Sequence, residues 1–590
     1  MPKLNIRPLA CLSAALLLAA CGAGSDTEST SAGAATASAK QGGRSADDTA
    51  APTILASELV TSGARSAAAA RVTPEEASAF LSQATFGPTM YEINQVASMG
   101  KLNWLNAQFN VYPAWHRAYM DQMATTLPPR AVLSENHFFQ SFWKNAIIGS
   151  DHLRERVTYA LSQIFVVSFQ DGAVGMYARG MACYYDMLSA KAFGNFRDLL
   201  EGVATSPMMG IYLSHMQNLP ESENSTPDEN FAREIMQLMT IGLHQLNPDG
   251  TVKLSGGQPI PTYNRDDVAG LAKVFTGWSW GGGQMNEYGF TGLVAYSSPD
   301  RDCLPMQNYP AYHSTSKKTF LGKTLAAGGS GEADLKAALD TLFNHPNVGP
   351  FIGRQLIQRL VKSNPSAGYV ARVAAAFADN GAGVRGDMKA VLRAVLLDSE
   401  AAAAGADDVG KLREPVLRLA NWLRAFNARS VSGNYVIWTL EDPLTGIGQN
   451  PLRSPSVFNF YRPNYTPPHT SIANAGYVAP EMQLVGETSV IGYLNFMQMA
   501  VARGIGQSWD IRPNYAAELS IAEQPEMLVD RINLLLLNGR MSDSLRSKIV
   551  SAVASIPVRG NSPQAQTAKE NRVYIAVYLT MAAPEYLVQK

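Results

Sequence analysis

From Thr73 onward, apolar residues recur at three- and four-residue intervals between capping residues, and this pattern constrains the fold more than any other feature. Thr73-Pro74-Glu75-Glu76 supplies an N-cap, Pro at the first helical position and Glu at the third, before apolar Ala77, Phe80 and Leu81. A second helix fits Met90 to Met99, stopped by Gly100, and a third fits Leu102 to Phe109. Ser150 can cap a helix carrying Leu153, Val157, Leu161 and Ile164, with Arg154 and Glu155 between them. The same pattern predicts helices over Pro350 to Val361, Ala367 to Ala378, Asp387 to Leu397 and Leu412 to Phe426. It resumes over Val485 to Val501, Pro525 to Leu537, Ser542 to Ile556 and Lys569 to Met581. Short strands fit Thr251 to Ile260 and Gly289 to Tyr296, while Asp442 to His469, rich in Pro, Gly and aromatics, fits an ordered irregular excursion across the surface. No strand–helix alternation builds a parallel sheet. The expected fold is therefore all-α: a large irregular multi-helix domain with long ordered loops and a few short strands.

The first twenty residues follow a different rule. Lys3 and Arg7 precede an apolar run, Leu9 to Ala20, that is too short to span a bilayer and has the form of a secretory signal. It ends in Leu18-Ala19-Ala20-Cys21-Gly22, which resembles the bacterial lipobox, so Cys21 is expected to carry lipid as the mature N-terminus. Two or three acyl chains hold a protein on a membrane stably where one does not. Gly22, in place of Asp, fits sorting to an outer membrane, facing the periplasm or the exterior. From 21 to 70 the chain is rich in Ala, Ser, Thr and Gly, a composition suited to a flexible tether. The expected layout is thus signal 1–20, tether 21–70, main helical region 71–400 and a C-terminal helical region 401–590 packed on it.

With 48 Lys+Arg against 49 Asp+Glu, the chain lacks the cationic excess that nucleic-acid binding needs. Of the four Cys, Cys11 leaves with the signal and Cys21 is taken by lipid. Cys183 and Cys303 remain, free to form one disulfide or to stay separate buried thiols.

The densest polar pattern is Thr226-Pro227-Asp228-Glu229-Asn230-Phe231-Ala232-Arg233-Glu234. Thr226 and Glu229 have the spacing of a capping box. Asn230, Arg233, Glu234 and Gln237 fall on one stripe of a helix whose other side carries Phe231, Ile235, Leu238 and Met239. A stripe of this kind is often a solvated face. It is also what a cleft wall needs, with Glu229 or Glu234 as acid/base or hard-metal ligand and Arg233 as anion binder, so a divalent metal is a possible cofactor. Downstream, Asn264 can cap a helix opened by Asp266 and Asp267, which leads to Phe275-Thr276-Gly277-Trp278; Asp266, Asp267 and Trp278 are candidate substrate contacts. His313, in the polar stretch Tyr312 to Lys318, is the best-placed of eight scattered histidines. H-E-x-x-H, P-loop, C-x-x-C-H and G-x-S-x-G motifs are missing from the sequence.

Ala84-Thr85-Phe86-Gly87-Pro88-Thr89, Glu229-Asn230-Phe231-Ala232-Arg233-Glu234, Phe275-Thr276-Gly277-Trp278 and Phe351-Ile352-Gly353-Arg354 together resemble the landmarks of domain-of-unknown-function family number 1800, over about residues 77–586. That resemblance implies an exported, mainly helical bacterial protein, with no assigned catalytic residues to carry over. It also implies a partner: the genes often adjoin those of domain-of-unknown-function family number 1501, whose members are related to alkaline-phosphatase-like enzymes. Where family members often show Trp-His-Asn-His, this chain has Phe142-Trp143-Lys144-Asn145, so a metal site built on those histidines would need His137 and His152 to come together. Three functions are expected from all this. The first is an envelope-anchored protein that binds or processes an extracellular or periplasmic substrate in a Glu/Asn/Arg/Glu cleft, and if an enzyme, a carboxylate- or metal-assisted hydrolase. The second is a non-catalytic export or assembly accessory, and the third a surface adhesin.

Overall fold

In a computed structural model, residues 72–402, 410–438 and 440–590 are described. The signal, Cys21 and the tether lie outside the described residues. Helices dominate, joined by long ordered loops, and each sheet is a two-stranded antiparallel ribbon.

Local chemistry explains where the helices begin. Thr73 and Glu76 form a reciprocal capping box ahead of helix Pro74–Ala84, and Thr89 and Glu92 form another ahead of helix Met90–Met99. Helices Ala367–Ala378 and Pro525–Leu537 span the residues their periodicity predicts. Asp387 caps helix Met388–Leu396, accepting hydrogen bonds from the amides of Lys389 and Ala390. Several further helices, Glu135–Ile148 and Ala178–Lys191 among them, are buried over so much of their circumference that no clean stripe marks them in the sequence.

Some expectations are corrected. Gly289 to Tyr296 is a helical turn, Glu287–Thr291, followed by a 3-10 turn rather than a strand. Lys411–Leu412 is a strand paired with Val588–Gln589, and the helix behind it starts only at Pro415. Asp151 replaces Ser150 at the start of helix His152–Ser162. The excursion after Asp442 does not merely cross the surface: Gln449 and Asn450 are fully buried and Tyr461 nearly so.

The core draws on helices from both ends of the described chain and holds many aromatic side chains among its aliphatic ones. Trp143 and Trp422 are fully enclosed, and burial of side chains of this size contributes on the order of 2–3 kcal/mol each. The Ala84 to Thr89 string is a close-packing point. Gly87, at φ +133°, lets the backbone lie against Asn421, where a Cβ would come within 2.7 Å of the Asn421 Cα, and its carbonyl accepts from Arg424 Nε. Arg424 also donates to both carboxylate oxygens of Glu92 at 2.8 Å, so the Ala84 to Thr89 string ties the N-terminal helices to helix Pro415–Ala425. Among the described residues no helix is long and apolar enough to cross a membrane.

Candidate functional site

Helix Asn230–Gln237 presents the polar stripe. Its start differs from the expected capping box: Thr226 lies in an irregular stretch, and Asp228 Oδ1 accepts from the Asn230 amide at 2.8 Å. Asn218 holds Asp228 through its backbone, accepting from the amide and donating to the carbonyl. The apolar side is anchored where Phe231 stacks on His215 with ring centroids 3.8 Å apart and meets Phe275 edge-on at 4.7 Å. On the polar side Asn230 is exposed, and Glu229 and Arg233 pair at 3.0 Å, both partly open to solvent. Glu234 is buried; its Oε2 has no hydrogen-bond partner, and burial, only partly offset by Arg233, raises its carboxyl above the usual range. Tyr263 donates to Gln237 Oε1 at 3.1 Å and closes the end of the stripe. A buried carboxyl of raised pKa is a candidate acid, and the guanidinium beside it can bind an anionic group.

His313 sits elsewhere, in an enclosed polar knot. Its Nδ1 lies 2.8 Å from the Thr276 carbonyl and its Nε2 3.1 Å from Asp334 Oδ2, the same oxygen that Lys318 Nζ meets at 2.7 Å. All three side chains are buried. Gly277, at φ +76°, permits this contact, because a Cβ there would stand 2.8 Å from the His313 amide nitrogen. Beside the knot, Glu221 takes hydrogen bonds from Ser314 and Ser316 and pairs with Lys273 at 3.2 Å. Those partners outweigh its burial and hold its carboxyl at about 2. The Phe275-Thr276-Gly277-Trp278 string is thus a seat for the His313 loop.

Asp266 and Asp267 occupy the first turn of helix Arg265–Ala272. Asp267 completes a capping box with Asn264, and its Oδ1 accepts from the Leu321 amide at 2.7 Å, pinning the Lys318–Phe320 and Lys323–Leu325 hairpin. Asp266 is exposed. Among the described residues no hydrogen bond or ion pair joins the Glu229 to Glu234 stripe to His313, Asp266, Asp267 or Trp278. No group of three His, Cys, Asp or Glu converges among them to hold a metal ion. His137 bonds with Ser134, whereas His152 lies between Arg424 and Glu92, and burial beside that cation lowers its pKa to about 3; the two histidines do not meet.

A half-open cleft of about 700 Å³ lies on another part of the molecule. Helices Ala178–Lys191 and Phe196–Ala204 form one wall and helix Gly331–Asn344 contributes Glu332, Leu335 and Lys336. The excursion between strands Trp278–Ser279 and Gln307–Asn308 adds Asp302, Cys303, Pro305 and Met306, and the turn Thr205-Ser206-Pro207 completes the lining with Trp278. Cys183 and Cys303 are joined as a disulfide in this wall, with Cα atoms 5.3 Å apart. Arg179 reinforces the clamp by pairing with Asp121, Asp300 and Asp302. Of the residues singled out from the sequence, Trp278 and the two cysteines line this cleft; the Glu229 to Glu234 stripe and His313 do not. Its charged lining, Lys191, Arg197, Lys336 against Asp198, Glu201, Asp302 and Glu332, has no signature in the sequence, because it is assembled from four separated segments.

Fold and cleft together define a large helical domain with a disulfide-walled cleft. The family model described as "Protein of unknown function (DUF1800)" matches residues 79–588, and the chain belongs to that family. No curated protein and no solved structure matches it.

Proposed function

We propose that this is an envelope-anchored binding protein, held by lipid on Cys21, that takes an extracellular or periplasmic ligand into the disulfide-walled cleft. The cleft carries the reading. Its size is that of a pocket for a small organic molecule or a short peptide, and its floor is apolar, with Met187, Leu335, Met306 and Trp278. Around that floor stand cations and carboxylates in similar number, which suits a ligand bearing both signs of charge, such as a peptide end or an amino sugar. Binding is the reading given to the cleft, where Arg197 holds Glu201 at 2.7 Å, and processing is kept for the stripe. The Glu229, Asn230, Arg233 and Glu234 stripe is then a second contact surface, and a carboxylate-assisted hydrolase centred on Glu234 is the catalytic alternative.

The test is a binding titration of the mature chain against envelope-derived peptides and amino sugars, with Lys336→Glu as the variant. The Lys336 side chain is 74% exposed and, among the described residues, its ion pair is with Asp340, so reversal leaves the fold intact while inverting charge at the rim. A roughly tenfold or greater loss of affinity at unchanged Tm supports the cleft; equal affinity in both proteins rejects it.

A different observation favours a protein partner. Met285, Tyr288, Leu293, Val294 and Tyr296 are all exposed within one twelve-residue stretch, and Tyr288 and Tyr296 stack on each other at 4.7 Å. An accessory that docks an exported, alkaline-phosphatase-like partner would use such a surface, and co-purification that is lost on Tyr288→Ser and Val294→Ser would mark it.

A further inference from the structure

Two loops and the end of one long helix build an exposed corner in the C-terminal third. Strand Arg429–Ser430 pairs antiparallel with strand Ile511–Arg512, and the register sets Arg429 directly opposite Arg512. Residues opposite each other share one face of such a ribbon. Ile511 is fully buried on the inner face, so the two arginines stand together on the outer one, both exposed. Helix Glu487–Arg503 brings a third exposed cation, Arg503, whose guanidinium lies 5.6 Å from the ring centroid of Trp509. Arg512 Nε donates to the Trp509 carbonyl at 3.0 Å, so two of the three cations meet at that residue.

None of the three is in an ion pair among the described residues, although like charges set opposite each other on a ribbon repel. Asp510, the carboxylate closest to them in sequence, is buried and engaged inward. It accepts from Ser430 Oγ and the Ser432 amide at 2.7 Å and from the Val436 amide at 3.0 Å. That grip fixes the 430–436 loop against the 505–512 loop and leaves the guanidinium groups open to an outside anion. The turn that carries Trp509 is itself strained: Ser508 and Trp509 have φ of +55° and +59°, a region that a bulky side chain rarely occupies. Trp509 is nevertheless exposed. Val431 on the neighbouring loop, and Met499 and Ile491 at four- and eight-residue steps along the helix face that ends in Arg503, are each more than half exposed. Indole and aliphatic side chains mixed with unpaired arginines suit the boundary between lipid headgroups and acyl chains.

We propose that this corner is a membrane-contact face for anionic phospholipid. Headgroup phosphates lie against Arg429, Arg503 and Arg512, and Trp509 enters the boundary with the acyl region together with Val431 and Met499. The negative headgroups match the unpaired guanidinium groups, and the bare apolar side chains gain a burial there that a soluble phosphate would not give them. The contact is separate from lipid on Cys21 and from whatever the cleft binds; it sets which side of the domain faces the bilayer.

The test is flotation of the mature chain carrying Cys21→Ser, so that no acyl chain contributes, at about 0.1 M salt. One vesicle is about three parts phosphatidylethanolamine to one part phosphatidylglycerol, the other phosphatidylcholine alone. Flotation with the anionic vesicles only is expected, together with quenching of Trp emission by brominated acyl chains. The pair Arg429→Gln, Arg512→Gln should weaken partitioning about tenfold or more at unchanged Tm. Trp509→Gly removes the indole where the backbone suits glycine, and should lose most of the quenching without loss of the fold. Equal partitioning onto both vesicles, or equal partitioning of the wild type and the arginine variant, overturns the proposal. No partitioning onto either vesicle overturns it as well, and leaves the corner to an acidic protein partner.

Discussion

Asp186 shows how one side chain can couple the fold to pH. Its two carboxylate oxygens accept from the amides of His116 and Arg117 at 2.9 and 2.8 Å, so it caps helix His116–Ala124 from a different helix. Burial nevertheless pushes its carboxyl up to about 6. Around it, burial raises Glu155, and at His116 burial is outweighed by Glu155, which holds the imidazole proton more tightly than usual. An acid with a raised folded pKa binds more protons folded than unfolded, so stability falls as pH climbs from its ordinary value near 4 to about 6 and is flat beyond. The His116 contribution has the same sign, being complete at low pH and lost as pH rises through its folded value. Asp186→Asn should therefore unfold at lower temperature overall, because one amide loses its acceptor, yet show a shallower decline of Tm between pH 4 and 6 than the wild type. Parallel profiles from the two proteins, followed by circular dichroism, would remove Asp186 from the pH response.

At the level of single elements, the sequence was legible wherever a cap and a stripe coincide and misleading wherever one side chain had a better partner. Among the described residues the Thr73 and Glu76 side chains bond only with each other's backbone, so their capping box forms as the spacing predicts. Thr226 and Glu229 share that spacing, but Glu229 turns to Arg233 and Asn218 draws Asp228 into the cap, so the helix begins four residues after Thr226. The two sites make a controlled comparison. Thr73→Ala should lower stability by about 1 kcal/mol, the usual effect of removing a helix cap, and Thr226→Ala should leave the denaturation midpoint within experimental error. A loss at Thr226 as large as at Thr73 would mean that the box forms in solution. His313 was legible as a residue type but not as a place: nothing in Tyr312 to Lys318 announces that Asp334 and Thr276 will enclose it, since its partners come from a helix and a turn far along the chain. The strand expected over Gly289 to Tyr296 failed for a related reason. Phe290 is buried against Tyr309 and Tyr312 while Tyr296 stacks on Tyr288 at the surface, so the apolar residues do not alternate between two faces.

Across the whole molecule, the 280–306 excursion depends on long-range closure more than on its own structure. It holds two short helical turns and a two-residue strand at either edge, too little to fix its path. What fixes it is the disulfide, 120 residues in separation, together with the three carboxylates around Arg179 and the Met306 amide, which donates to the Thr205 carbonyl at 2.7 Å. A cross-link closing a loop of that length restricts the unfolded chain by about 5 kcal/mol in the chain-entropy account, whereas the ion pairs at Arg179 are partly exposed and individually worth about 1 kcal/mol or less. Loss of the disulfide should thus act mainly on global stability and only secondarily on local geometry. The double variant Cys183→Ser, Cys303→Ser is expected to show a lowered Tm with near-native circular dichroism, and limited proteolysis should cut first within 281–301. The same cut should come earlier when Arg179→Ala is added, because the remaining clamp is then gone. If the double variant matched the wild type in Tm and protease resistance, the cross-link would have no part in shaping the cleft, and the wall would have to be held by the carboxylates around Arg179, the Met306 amide bond to Thr205 and the packing of Met306 and Trp278.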